Sequence, residues 1–209
     1  MFSGIIQETV KAKNIRRQGK NLWLQISAPK GFMAKVGESV SVDGICSTVE
    51  QKKDNYLSFY YMPETLRKTT ISKTPESHLF NLERSLTLQS LIGGHLMSGH
   101  IDTTAVLESI STQGKSKLMK FRIDQKFTKY IIYKGSIALN GVSLTVVSAG
   151  KDYFTVSIIP YTQRHTNLGQ LKIGNTVNIE LDLIAKYLEK LCYRQPPVKK
   201  ISRPSKIAQ

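Results

Sequence analysis

Cysteine is scarce in this chain: Cys46 and Cys192 are the only two in 209 residues. Two thiols cannot build a disulfide framework, and with no CxxC or HxxxH spacing beside them no zinc-type ligand set can be assembled, so no metal is expected. No run of about 18 apolar residues occurs, which excludes a helical membrane span. The opening MFSGIIQETVKAKN lacks the basic stretch followed by an apolar one that marks a secretory signal. The glycines at 4, 93, 94 and 99 form neither GxGxxG nor GxxxxGK[ST], so no nucleotide-phosphate cradle is expected. Together these absences point to a cytoplasmic protein of a reducing compartment, with no membrane partner.

Acidic residues are also few, 15 against 30 Lys and Arg, giving a formal net charge of +15. Clustered bases can displace counterions from a phosphate backbone. Five of them (Arg194, Lys199, Lys200, Arg203 and Lys206) lie in the acid-free tail RQPPVKKISRPSKIAQ, and the rest are scattered. There is no RNP-type aromatic motif or basic recognition helix. The excess therefore reads as solvated surface, and nucleic acid is not an expected partner.

What the sequence does contain is itself, twice. Adding 97 to a residue number carries Ser39 to Ser136, Asp43-Gly44 to Asn140-Gly141, Cys46 to Ser143 and Thr48-Val49 to Thr145-Val146. The same offset carries Met62-Pro63 to Ile159-Pro160, Thr65, Arg67 and Thr69 to Thr162, Arg164 and Thr166, and FNLE (80–83) to VNIE (177–180). Near the start the offset is 95, where GIIQET meets GHIDTT, which implies a two-residue length change in between. The expected organisation is two tandem copies, 1–93 and 94–186, followed by a short piece, 187–209.

Each copy reads as β. Alternating or β-branched runs such as NLWLQIS, ESVSVDGI and YLSFYYM, with their counterparts KLMKFRI, GSIALNGVSLTVV and YFTVSII, are separated by turn signals at KDN and GKD. Closure into a small barrel is the standard answer to the exposed edges of so many short strands. The two Asx-Gly pairs predict tight hairpins, placing Cys46 and Ser143 just beyond a turn at a strand's start. SLTLQSL (85–91) is expected to add a short helix. After Asp182, LIAKYLEKLCY puts Ile184, Tyr187, Leu188 and Leu191 on one face of a helix of about three turns.

Few residues in this pattern bear chemistry. Cys46 is a small buried thiol or a reactive one, with Ser39, Ser47 and Thr48 near enough to orient a ligand or stabilise a thiolate. His100, in MSGHID, is a polar strand-start residue or a pocket acid or base. His95, in the connection GGHL, reads as structural, and His78 and His165 have no partner pattern. Lys134, in IIYKGS, is a snorkelling edge-strand residue or a charge aimed into a pocket. MPETLRKTT and IPYTQRHTN would suit recognition of a planar polar heterocycle through hydrogen bonds.

MFSGIIQE, VDGICSTV, MPETLRKTT, GGHLMSGHID, YKGSIALNGVSLTV and the final VNIELD, in order and in register over about residues 1–190, together resemble the riboflavin synthase family. The resemblance implies an all-β fold of two tandem six-stranded Greek-key barrels and a C-terminal helix that assembles a homotrimer. It further implies cofactor-free conversion of two 6,7-dimethyl-8-ribityllumazine molecules into riboflavin and 5-amino-6-ribitylaminouracil by transfer of a four-carbon unit. Association with lumazine synthase is left open.

Carried over by position, the first pocket would hold Gly4, Ile5, Ile6, Cys46, Ser47, Thr48, Tyr60, Tyr61, Met62, Pro63, Glu64 and Thr65. The second would hold Gly99, His100, Ile101, Lys134, Ser143, Leu144, Thr145, Ile158, Ile159, Pro160, Tyr161, Thr162 and Gln163. The residues implied for chemistry are Ser39, Cys46, His100, Ser143, Thr145 and Asp182. Cys46, or a water it places, would activate the nucleophile; His100 and Thr145 would assist proton transfer, with Asp182 in support. Ser47 stands where many relatives have an apolar residue, and Tyr161 and Gln163 depart from the Glu and Leu common in the second copy. The alternative is a non-enzymatic lumazine- or flavin-binding antenna protein on the same fold.

Overall fold

The computed structural model describes residues 1–192. Twelve strands form two closed antiparallel barrels. The first contains β1 (Glu8–Gln18), β2 (Asn21–Ser27), β3 (Ser39–Val42), β4 (Ile45–Lys53), β5 (Tyr56–Tyr61) and β6 (Leu79–Arg84), closing in the order 1-2-5-4-3-6. The second contains β7 (Thr103–Gln113), β8 (Ser116–Arg122), β9 (Ser136–Leu139), β10 (Val142–Ala149), β11 (Tyr153–Ile158) and β12 (Thr176–Leu181), closing in the equivalent cycle. A single turn of helix follows the fifth strand of each copy, α1 (Pro63–Lys68) and α2 (Pro160–His165), each with proline in its first turn, where a missing N–H costs nothing. The chain continues into α3 (Leu183–Cys192). No helix of the described residues is long and apolar enough to cross a membrane.

The duplication extends to irregularities. The register of β1 against β2 shifts between Ala12 and Asn14, and that of β7 against β8 between Leu107 and Ser109, at the offset of 95. Val49/Gln51 and Val146/Ser148 repeat at 97. The two extra residues lie between the second and third strands, where 28–38 is answered by 123–135.

Alternation fills the interiors. Leu24, Ile26, Val40, Val42, Leu57, Phe59, Phe80 and Leu82 close the first barrel; Leu107, Phe121, Leu139, Val146, Phe154, Val156, Val177 and Ile179 close the second, with Phe121 and Phe154 stacked at 5.5 Å. All sixteen are fully buried, and each contributes on the order of 1.5–3 kcal/mol. The Asx-Gly hairpins adopt the expected positive φ: Asp43 48° and Gly44 82°, Asn140 44° and Gly141 78°.

The barrels meet about a pseudo-twofold axis through these turns. Asn81 Nδ2 donates to the Asn140 carbonyl, and Asn178 Nδ2 to the Asp43 carbonyl, both at 2.9 Å. The buried Asp43 carboxylate accepts from the Asn81 amide and from Asn167 Nδ2, each at 2.8 Å, and lies 2.7 Å from His78 Nε2. His78, without a partner pattern in sequence, is thus part of the inter-barrel joint.

Two local expectations are corrected. Residues 85–91 form no helix. Leu88 and Leu91 are fully exposed, so no apolar face would be buried, and the hydroxyls are engaged otherwise: Ser85 Oγ donates to the distant Ser39 carbonyl at 2.5 Å, and Ser90 Oγ accepts from the Thr87 amide at 2.9 Å. Lys134 is not on a strand: it sits exposed in a turn at φ 62°, its ammonium 5.4 Å from the Tyr133 ring centroid. The basic tail, 194–209, lies outside the described residues.

Candidate functional site

The site begins with two carboxylates that the repeat carries in FNLE and VNIE. Glu83 Oε1 accepts from the Ser3 amide and hydroxyl, both at 2.7 Å, and its Oε2 from the Gly4 amide at 3.0 Å. Glu180 does the same for Ser98, at 2.6 Å twice, and for Gly99 at 2.9 Å. Both carboxylates are buried. Burial pushes the Glu83 carboxyl above its ordinary value, and the hydrogen bonds from Ser3 and Gly4 oppose that rise. Between the two grips, Phe2 and Met97 pair backbone to backbone, 2.8 and 3.0 Å.

From these grips the two start segments cross. The Gly99 carbonyl accepts from the Cys46 amide at 2.8 Å, and the Gly4 carbonyl from the Ser143 amide at 2.9 Å. A Cβ on Gly99 would lie 2.7 Å from the Cys46 Cβ, and one on Gly4 2.5 Å from the Ser143 Cβ, so only glycine permits the approach. Ile101 packs against the core of the first barrel and Ile6 against that of the second. The grouping expected from sequence is therefore exchanged: Gly99 and Ile101 go with Cys46, and Gly4 and Ile6 with Ser143.

Strand alternation then sorts the hairpin residues. Ile45, Ser47 and Val49 face the first barrel's interior, while Cys46 and Thr48 face outward with Ser39 and Ser41, which pair with them across β3 and β4. In the second barrel Ser143 and Thr145 face outward, opposite Ala138 and Ser136. Ser47 is thus not beside the thiol: its hydroxyl donates to the Ile45 carbonyl at 2.9 Å and meets the Tyr61 hydroxyl at 2.9 Å. Tyr61 is buried with it, and burial pushes its phenol well above the ordinary tyrosine range. Leu144 and Ile158 likewise pack into the second core. Tyr60, Met62, Glu64, Ile159 and Tyr161 are exposed at the barrel rims, with Pro63, Thr65, Pro160, Thr162 and Gln163 half-buried beside them. Glu64 pairs with Arg67, whereas its counterpart Tyr161 stacks on His165 at 4.0 Å between centroids. Gln163 Nε2 is spent on the Ile158 and Lys115 carbonyls, at 3.1 and 3.0 Å.

His100 follows Gly99 at the surface, on the Cys46 side. Asp182 caps α3, its Oδ1 accepting from the Ile184 amide at 2.9 Å. Two further residues belong here. Phe2, fully buried, packs with Met97, Ala138 and Cys46. His95 places Nδ1 2.7 Å from Ser143 Oγ. Burial lowers its pKa, and the nearby Asp182 and Glu180 carboxylates oppose that fall. The repeated Ser-Gly and Glu were the sequence signal for the grips; His95 carried none. Clefts of about 540 Å³ (beside Arg67, Lys73 and His78) and 380 Å³ (beside Ser3, Ile5 and Glu83) flank the joint, and neither is lined by Cys46 or Ser143. Among the described residues no three His, Cys, Asp or Glu side chains are grouped to hold a metal ion.

Chemically this is a pair of open, outward faces, one with a thiol and one with a hydroxyl, each closed at its edge by a glycine from the other copy. The Lumazine binding domain model matches residues 3–85 and again 98–182. The chain is 39% identical to the riboflavin synthase of Actinobacillus pleuropneumoniae over 94% of its own length and 92% of that enzyme's. It is 35% identical to that of Bacillus subtilis, covering 93% and 91%, and 39% identical to that of Escherichia coli, covering 87% of each. Among solved structures, LumP complexed with riboflavin shares the fold with a TM-score of 0.81 at 24% identity, over 87% of this chain and 99% of that one.

Proposed function

Because the chain belongs to the riboflavin synthase family, we propose that each of its two outward hairpin faces holds one molecule of 6,7-dimethyl-8-ribityllumazine and that the reaction joins the two. The chain is a transferase that makes riboflavin and 5-amino-6-ribitylaminouracil from two such molecules by moving a four-carbon unit. The duplicated hairpin carries the reading: a reaction consuming two identical molecules is served by two related pockets, and holding both in attack geometry converts a bimolecular step into an effectively unimolecular one.

In this account Cys46, or a water it places, supplies nucleophilic activation on the first face, with Ser39 and Thr48 beside it. His100, and Thr145 on the second face, assist removal of a proton from the C7 methyl, and Asp182 supports them. Lys134, in its exposed turn, reaches the ligand only from outside the barrel wall. Faces this open need covering. The exposed row Ile184, Tyr187, Leu188 and Leu191 on α3 supplies the means, a homotrimer in which one chain's first face meets another's second. We take 1–93 and 94–186 as the functional halves and 187–209 as the end of the helix and the tail. The protein is placed in the cytoplasm, with lumazine synthase as the macromolecular partner to assay. Incubation with 6,7-dimethyl-8-ribityllumazine alone tests the activity: riboflavin and the pyrimidine product are expected in equal amounts, and binding without either would leave an antenna protein.

A further inference from the structure

We propose that His95 is a positioning residue of the second pocket, holding the proton of the Ser143 hydroxyl so that Ser143 offers its oxygen lone pairs to an N–H or O–H donor of the bound ligand. The inference rests on the assignment of one lumazine to the Ser143 face.

His95 Nδ1 lies 2.7 Å from Ser143 Oγ, a full-strength hydrogen bond whose direction depends on the ring's tautomer. The proposed arrangement has the ring's one proton on the other nitrogen. Nε2 is buried with no hydrogen-bond partner among the described residues, and the Asp182 and Glu180 carboxylates place negative potential on this ring. With the neutral imidazole's one proton on Nε2, Nδ1 is the acceptor and Ser143 the donor. The connection that carries the ring is tied down: the His95 amide donates to the Ser3 carbonyl at 3.1 Å. On the first face, by contrast, no described side chain bonds the Cys46 thiol. Two identical molecules thus meet unequal pockets, one with a free thiol and one with a hydroxyl fixed as an acceptor.

Binding of 6,7-dimethyl-8-ribityllumazine to His95→Ala, Ser143→Ala and the double variant tests this, with His95→Asn as the conservative replacement, since its amide oxygen falls near the position of Nδ1. Each alanine is expected to weaken one of two binding classes per chain about tenfold, the worth of one hydrogen bond. The double variant should lose no more than either single one, as coupled partners do. His95→Asn should recover most of the loss, and the other class should not move. If Ser143→Ala weakens a class and His95→Ala does not, or if the two losses add, the positioning role is overturned. If Ser143→Ala moves neither class, the assignment of this face to a ligand fails, and the proposal with it. Nitrogen-15 shifts of His95 in the unsubstituted, ligand-free chain supply the second measurement: a protonated Nε2 and a bare Nδ1 are expected, and a proton on Nδ1 would contradict the proposal whatever the variants do.

Discussion

Cys46 and Ser143 occupy the same place in two superposable hairpins, yet their surroundings differ. The thiol is half-buried against Phe2 and Met97, whereas the hydroxyl is bonded to a histidine. Replacing Cys46 by alanine removes the thiol proposed to activate the nucleophile and little packing, so turnover should fall on the order of a hundredfold while ligand affinity changes little. Single-turnover kinetics beside equilibrium binding checks this, and unchanged turnover would end the catalytic assignment of the thiol. His95 gives a pH signature. Its folded pKa lies below the ordinary 6.5, so between the two values the unfolded chain binds more protons. Stability from this group is present above 6.5 and is lost as pH falls through that window. Denaturation midpoints across that range should fall on acidification, and His95→Gln should flatten the slope.

The decisive elements are the two start segments, which belong by sequence to one copy and by contact to the other. Gly99→Ala forces a Cβ to 2.7 Å from the Cys46 Cβ, at a φ of +81°. Gly31, at φ +87°, has nothing within 4 Å and serves as the control for backbone strain alone. Both alanines should destabilise by at least ~1 kcal/mol. Only Gly99→Ala should also lose the ligand class of the Cys46 face, as denaturation and lumazine titration in parallel would show. The helix α3 is held to the second barrel by Lys186–Asp102 at 2.9 Å and by Glu189 with Lys129 and Tyr130, while its apolar row stays exposed. Truncation before Leu183 should yield monomers by light scattering that still bind lumazine and turn it over poorly. A fully active monomer would refute the inter-chain site.

At the scale of the molecule, the duplication was legible because strand period and turn chemistry act locally. NLWLQIS coincides with β2, both Asx-Gly turns take the φ their chemistry demands, and Ile184 to Leu191 form the exposed row that their spacing describes. The crossing was not legible, since a repeat aligns Gly4 with Gly99 but says nothing of which hairpin either touches. Ser47 and Tyr61 were misplaced for a related reason: the resemblance supplies a contiguous stretch, while alternation sends every second side chain into the barrel. The strand placement of Lys134 failed because apolar neighbours mimic a strand where a positive-φ turn lies, and the contact of His95 with Ser143 was not legible because its partner is 48 residues away.

Two related pockets per chain, unequal in chemistry and each completed by the other copy, is the central claim. Equilibrium dialysis of the full-length protein against 6,7-dimethyl-8-ribityllumazine, under conditions where turnover is negligible, tests it most directly. Two molecules bound per chain, in two classes of different affinity, is the predicted result. Saturation at one molecule per chain, with both Cys46→Ala and Ser143→Ala acting on that single class, would contradict it.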